Sequence, residues 1–316
     1  MTFEKLALDR IDFRDERFRI SLAMKREKLE RSIRMIGVVQ PVTVVARGGT
    51  LVLVSGWKRA GVCRAIGLSP LPALILDELD DLRCFQRAIH ENWTARDFSL
   101  VEKSHIVRKL ADFGLDKPAI VREYLPLLGI PAQSTAFEKL LAVSRAAPGI
   151  KTMIEVKDMD FAAADLLTDF SPEEQEGLIP WLVPLGRNKQ KEFLDDLWDV
   201  SRRESRAAGD ILGSPEFLRL IASEALSPLQ KAEAARVLLR DKKNPRLSSA
   251  RKSFEAAARA LGLPKAVRLE PPASFEDENL RISFDAATPE AFEKTAAALG
   301  KISARAEFKD LFKRPV

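Results

Sequence analysis

Apolar positions along this chain recur with two different periods, and the switches between them divide it. From Lys25 to Ile36, the residues Leu29, Ile33 and Ile36 fall at helical spacing, which predicts a helix with one apolar face closed by Gly37. The run VVQPVTVVA then predicts a strand, Arg47-Gly48-Gly49-Thr50 a turn, and Leu51 to Val54 the returning strand of a hairpin. That strand passes through Ser55-Gly56 straight into a helix that carries Lys58, Arg59 and Arg64 and ends at Gly67. LPALIL predicts one more strand, followed by a helix holding His90-Glu91-Asn92.

From Ser99 onward the period is helical. Ser99 and Glu102 form a capping-box pair at the head of SLVEKSHIVRKLADFG, and Gly114 stops that helix. KPAIVREYLPLLG puts Ile120, Tyr124, Leu127 and Leu128 on one side, and a helix from Thr135 to about Arg145 follows after IPAQS. Two helices joined by a glycine-containing turn are the minimum for a helix-turn-helix, whose second helix would offer Gln133, Ser134, Thr135 and Lys139 to DNA. Apolar helix pairs of this length also serve simply as core. Helical patterning continues to about residue 262, with Ser171-Pro172-Glu173-Glu174 as a well-formed helix start and Trp181 and Trp198 at core spacing. After Leu263-Pro264 the pattern predicts two strands around a Pro-rich turn, then a helix capped by Thr288. The expected units are therefore 1–96, 97–185, 186–262 and 263–316.

Composition changes this picture little: 46% hydrophobic and 31% charged over 316 residues is ordinary for a globular chain of two or three domains. Two cysteines, Cys63 and Cys84, are too few for a disulfide framework or a four-ligand metal site and are expected to pack as small apolar groups. A charged N-terminus and the lack of any run of 18 apolar residues point to a cytoplasmic, non-membrane protein. Charge is more telling. Net charge is only +5, but Lys151 to Ala235 holds 10 Lys/Arg against 17 Asp/Glu, whereas Arg236 to Arg268 holds 10 against 2. That basic stretch, with Lys242, Lys243 and Arg246, is a candidate for phosphate-backbone contact; a solvated surface or an acidic partner would use the same residues.

The strand–Gly56–helix junction carries the most specific chemistry. Glycine permits backbone angles closed to other residues, and the first amides of the following helix lack intrahelical partners. With the positive end of the helix dipole and two cations in the first turn, the junction suits a chain of phosphates. The GxKR string alone fits a plain strand–helix junction equally well. Its neighbours add to it. ERSIRMIGVVQPVTVV, SGWKRAGVCRAIG and ENWTARDFSLVEKS occur in the order and spacing of a helix–strand, a phosphate loop and a helix start that together resemble the N-terminal nucleotide-binding domain of the ParB partition family.

The resemblance covers about residues 1 to 115 well and continues more faintly to about 180. It implies an α+β N-terminal ParB/sulfiredoxin-like domain, then a mostly α-helical region with a helix-turn-helix, and a small α/β C-terminal module. By the same resemblance Gly56, Lys58 and Arg59 would meet the triphosphate of CTP, while Glu91 and Asn92 would meet Mg²⁺ and the phosphates. DNA and a second copy of the chain are the implied partners, with a partition ATPase as a further candidate; the implied role is plasmid or chromosome partition or related transcriptional control. Two departures bear on turnover. The loop's usual Glu is Trp57 and its first Arg is Lys58, so whether the site is even a weak CTPase stays open. The same domain fold also resembles sulfiredoxin, which needs a loop cysteine this chain lacks, and ParB-like free-serine kinases, which leaves a small-molecule kinase as the alternative. His90 and His105, the only histidines, belong to no readable Ser or Cys triad.

Overall fold

The computed structural model describes residues 1–21, 27–157, 159–264, 266–270 and 280–311. The chain divides into two units, Met1–Lys191 and Glu192–Val316.

The first unit is built on a five-stranded sheet. Its strands are β1 (Thr2–Leu6), β2 (Ile11–Asp12), β3 (Val42–Arg47), β4 (Thr50–Ser55) and β5 (Leu71–Leu76), in spatial order β1-β5-β3-β4-β2. β3 and β4 form the expected antiparallel hairpin, with Gly48 and Gly49 both at positive φ as a two-residue turn with right-handed strand twist requires. β3 pairs with β5 in parallel, and β1 pairs with β5 antiparallel. Strand alternation feeds two cores. Val42, Val44, Leu51 and Leu53 face one layer with the helices α1 (Glu27–Ile36) and α2 (Trp57–Ile66); Val45, Val52 and Val54 face the other. That second core holds Phe85 and Ile89 of α3 (Asp81–Trp93) and Ile106, Val107 and Leu110 of α4 (Leu100–Asp112). With both faces covered, the central strands are apolar at successive positions, which is why VTVV and LVLV read as continuous runs.

The expected helix boundaries recur with physical causes. Asp80 caps α3 by accepting from the Leu82 and Arg83 amides, and the Ser99–Glu102 capping box at α4 is complete in both directions. Gly67 ends α2 in the left-handed region, with the Leu68 amide reaching back to the Cys63 carbonyl. Cys63 and Cys84 are free and buried. Residue 25, where the first helix was expected to begin, lies outside the described residues. Ile36, assigned to the apolar face of that helix, is 68% exposed, because the helix ends there and only Ile33 turns fully into the core.

Beyond α4 the first unit is helical. The turns Lys117–Ala119, Ile120–Tyr124 and Leu125–Leu127 run on as one irregular stretch whose middle widens into a π-type turn. Gly129 then breaks the chain direction at φ +68, and the helix Ser134–Arg145 packs Phe137 and Leu140 into the core shared with α4. The helix Pro172–Leu182 starts on the Ser171–Glu174 capping box, and Trp181 is buried.

The second unit buries Phe193, Leu197, Phe217, Leu239 and Phe254 among its helices. A two-stranded antiparallel ribbon, β6 (Val267–Glu270) with β7 (Arg281–Phe284), precedes the helix Pro289–Ser303, whose Thr288 hydroxyl accepts from the Ala291 amide. The Pro-rich turn expected between those strands lies outside the described residues. Among the described residues no helix is long and apolar enough to cross a membrane.

Candidate functional site

Gly56 is the N-cap of α2 at φ +88, ψ +17, a left-handed conformation that disfavours any side chain. Space excludes one too: a Cβ there would stand 2.7 Å from Val42 Cγ1 and 3.2 Å from an Arg59 guanidinium nitrogen. Having no side chain, Gly56 cannot cap the helix, and the first amides of α2 face outward without a side-chain acceptor. They open on a cleft of about 300 Å³, at the lower end of the range for small-molecule sites.

All five residues expected to meet nucleotide and metal line this one cleft: Gly56, Lys58 and Arg59 from the β4–α2 junction, and Glu91 and Asn92 from the last turn of α3. Lys58 is half-buried, and its ammonium has no ion-pair partner among the described residues. Arg59 donates to the carbonyls of Gln40 (2.7 Å) and Pro41 (2.8 Å), which fastens the α1–β3 connection onto the junction. Both bonds use one terminal nitrogen, so the rest of its donor fork is left over. Burial pulls the Arg59 guanidinium below its usual pKa, with the Glu91 carboxylate opposing.

Glu91 is held from three sides. The Ser55 hydroxyl donates a short bond to it, the Thr43 hydroxyl lies at 3.4 Å, and Arg87, one helical turn earlier, donates at 2.8 Å. Asn92 donates its amide NH₂ to the Ala88 carbonyl at 2.8 Å, leaving the amide oxygen as its remaining polar atom. One carboxylate and one amide oxygen are hard donors that suit Mg²⁺ when phosphate and water oxygens complete the shell. Among the described residues no group of three His, Cys, Asp or Glu could hold a metal without such help.

Sequence reasoning assigned no role here to Phe18, Ile20, Ser21 and Gln40, which also line the cleft. Phe18, Ile20 and Ser21 come from a distant chain position and carry no local motif, while Gln40 sits in the helix–strand motif but was assigned no contact. Trp57, where the resembling loop has Glu, is 8% exposed: it packs into the core beneath α2 and also lines the cleft, and its indole N–H has no hydrogen-bond partner among the described residues. Arg96 also lines the cleft and makes a two-pronged ion pair with the buried Glu102 (2.6 and 2.8 Å) while donating to the Ser21 hydroxyl. Burial pushes the Glu102 carboxyl up, but Arg96 and the Ser99 amide outweigh it and hold it below the usual range.

The residues expected to meet DNA are spread along the chain. Gln133, Ser134 and Thr135 are exposed at the start of the helix Ser134–Arg145, whereas Lys139 in its middle is ion-paired with Asp165 at 2.5 Å. In the basic stretch, Lys243 lies 2.7 Å from Asp199 and 2.9 Å from Asp196, which raises its pKa, and Lys242 lies 3.3 Å from Glu216. Arg246 is exposed.

No protein-family model matches the chain. It is 34% identical over 95 residues to a probable chromosome 1-partitioning protein ParB of Deinococcus radiodurans, covering 30% of this chain and 33% of that one. It is 32% identical over 96 residues to the chromosome-partitioning protein Spo0J of Thermus thermophilus, covering 30% and 35%. A nucleoid occlusion protein of Halalkalibacterium halodurans matches at 28% over 177 residues, 54% of this chain and 60% of that one. The chain thus spans about a third of the partitioning relatives' length. Among solved structures, a Pnob8-like ParB-N domain covers 70% of this chain and 96% of its own at 16% identity and a TM-score of 0.38. A truncated Caulobacter crescentus ParB complexed with CTP-gamma-S covers 57% and 99% at 17% identity and 0.28.

Proposed function

We propose that this chain, which is ParB-like, binds a nucleoside triphosphate with Mg²⁺ in the Gly56 cleft and uses it to control binding to DNA. CTP is the expected nucleotide, and partition of a chromosome or plasmid, or related transcriptional control, the expected setting. One observation carries the reading: Gly56, Lys58, Arg59, Glu91 and Asn92, separated by up to 36 positions, converge on one cleft at an uncapped helix N-terminus.

The division of labour follows from the geometry. Outward-facing amides of α2, the unpaired Lys58 ammonium and the free part of the Arg59 fork would bind phosphate oxygens, with Lys58 acting as a point charge. Glu91 and the Asn92 amide oxygen would hold Mg²⁺ against those phosphates; the metal supplies charge neutralisation. Apolar walls from Phe18, Ile20 and Leu29 would exclude water from the rest of the nucleotide. Trp57 is packed in the core and puts no carboxylate near the phosphates, which favours retention of the nucleotide over turnover. For DNA, the exposed Gln133, Ser134 and Thr135 at a helix start match the position from which a recognition helix touches base edges.

Calorimetry with CTP, ATP and GTP, each with and without Mg²⁺, tests the cleft. CTP is expected to bind tightest, and Glu91→Gln to abolish the Mg²⁺ enhancement while leaving metal-free binding within about twofold. Equal weak binding of all three, unmoved by Arg59→Gln, would remove the nucleotide reading. Formation of phosphoserine from free serine and ATP would put the kinase alternative in its place.

A further inference from the structure

We infer a second phosphate-binding site, remote in sequence from the Gly56 cleft, in the groove between the helices Pro228–Lys243 and Pro245–Ala260. The groove encloses about 650 Å³ and is lined within the second unit alone, Leu269 of β6 included. Four cations line it, Arg240, Arg251, Lys252 and Arg259, against two carboxylates, Asp241 and Glu255.

The pairing of these groups decides what the groove can bind. Lys252 is ion-paired with Asp241 at 3.0 Å, and Arg259 lies 3.6 Å from Glu255. Both carboxylates are thereby matched. The surplus charge of two falls on Arg240 and Arg251, one from each helix, which have no ion-pair partner among the described residues. Both are exposed, so neither is held by packing. A cleft whose surplus charge is of one sign concentrates the field and draws counter-ions. Guanidinium forks presented from two sides suit a tetrahedral oxyanion, which offers oxygens to both, and Ser248 adds a hydroxyl.

The groove also relocates the basic stretch's capacity for phosphate. Lys242 and Lys243, nearest in sequence, are bound to Glu216, Asp196 and Asp199, and must break those pairs before meeting another anion. Arg240 and Arg251 need break nothing. The ligand's phosphate can belong to a phosphodiester backbone or to a free polyphosphate, and the test separates these.

The full-length chain in an Arg59→Gln background, which weakens the nucleotide cleft, is compared with and without Arg240→Gln plus Arg251→Gln. Failure of the cleft reading therefore leaves this test intact. Matching far-UV circular dichroism and urea midpoints establish that both proteins fold alike, as expected for exposed side chains. Binding to a random-sequence DNA duplex is followed against salt without nucleotide, and sodium tripolyphosphate is titrated calorimetrically. Loss of two phosphate contacts should flatten the slope of log K against log salt by about 1.8. That result assigns the site to a phosphodiester backbone. An unchanged slope with at least tenfold weaker tripolyphosphate binding in the double variant assigns it to free phosphate. If neither quantity changes, or polyglutamate binds as tightly as both and shows the same dependence, the inference is overturned.

Discussion

Gly56 shows how one residue can be fixed by two independent constraints. Its left-handed backbone would cost an L side chain about 1–2 kcal/mol, and a methyl group would meet Val42 at 2.7 Å, inside contact distance. Gly56→Ala should therefore destabilise the protein by about 2–3 kcal/mol in urea unfolding. It should also weaken nucleotide binding, because the displaced atoms include the Arg59 guanidinium. A variant of unchanged midpoint would show that the junction relaxes freely. His105 on α4 sets a different test. Burial, aided by Lys109, Lys151 and Arg108, pushes its imidazole down to about 4, with the Arg19 backbone opposing. The unfolded chain takes up this proton near 6.5 and the folded chain only near 4, so stability is lost as pH falls through that window. The loss amounts to about 3 kcal/mol at its lower end. Urea midpoints of the parent and of His105→Gln should accordingly diverge between pH 6.5 and 4, the parent falling more steeply. Parallel profiles would show that His105 is charged in the folded state.

At the scale of elements, α3 and α4 are joined by a short connection that Arg96 spans. Its guanidinium holds the buried Glu102 of α4 with both prongs, reaches Ser21 from the N-terminal segment and lines the cleft. Lys109, further along α4, fastens the same N-terminal segment through the carbonyls of Glu16, Arg17 and Arg19 at 2.7–3.0 Å. Glu102→Gln keeps the shape and the Ser99 cap but breaks the ion pair. Arg96 is 30% exposed and can partly re-solvate, so the cost should be about 2 kcal/mol, below the usual range for a fully buried pair. A melting temperature within 1 °C of the parent, roughly what a negligible free-energy change would give, would discount the contact. These elements also show what the residues disclosed. The hairpin, α2 and its glycine stops, α3 and the Ser99 box were legible because periodicity and caps are local signals. β1 escaped because TFEKL is an edge strand that buries only Leu6 fully, so it has no apolar alternation to read. The convergence of the five cleft residues was available only through the family likeness; nothing local to Glu91 indicates that it meets Ser55. Ion pairing was equally hidden, and the engagement of Lys139, Lys242 and Lys243 with carboxylates from other helices could not be read from charge counts.

For the whole molecule, a nucleotide that controls DNA binding must obey linkage. If CTP raises affinity for a DNA duplex by some factor, the same duplex must raise affinity for CTP by that factor, since both ratios close one thermodynamic cycle. A useful switch requires a coupling of about 1–3 kcal/mol, roughly 5- to 150-fold. The nucleotide can supply it only by favouring one arrangement of the chain, or of two chains, over another. Four dissociation constants settle the point: CTP with and without duplex, and duplex with and without CTP, all at one salt concentration, because phosphate contacts make every such constant salt-dependent. The two ratios should agree and exceed fivefold. Arg59→Gln should bring both to one without altering duplex affinity in the absence of nucleotide. Ratios of one in the parent chain would leave a nucleotide cleft and a DNA-binding surface on the same molecule with no communication between them. CTP would then be a structural ligand, and the control of DNA binding would have to come from another source.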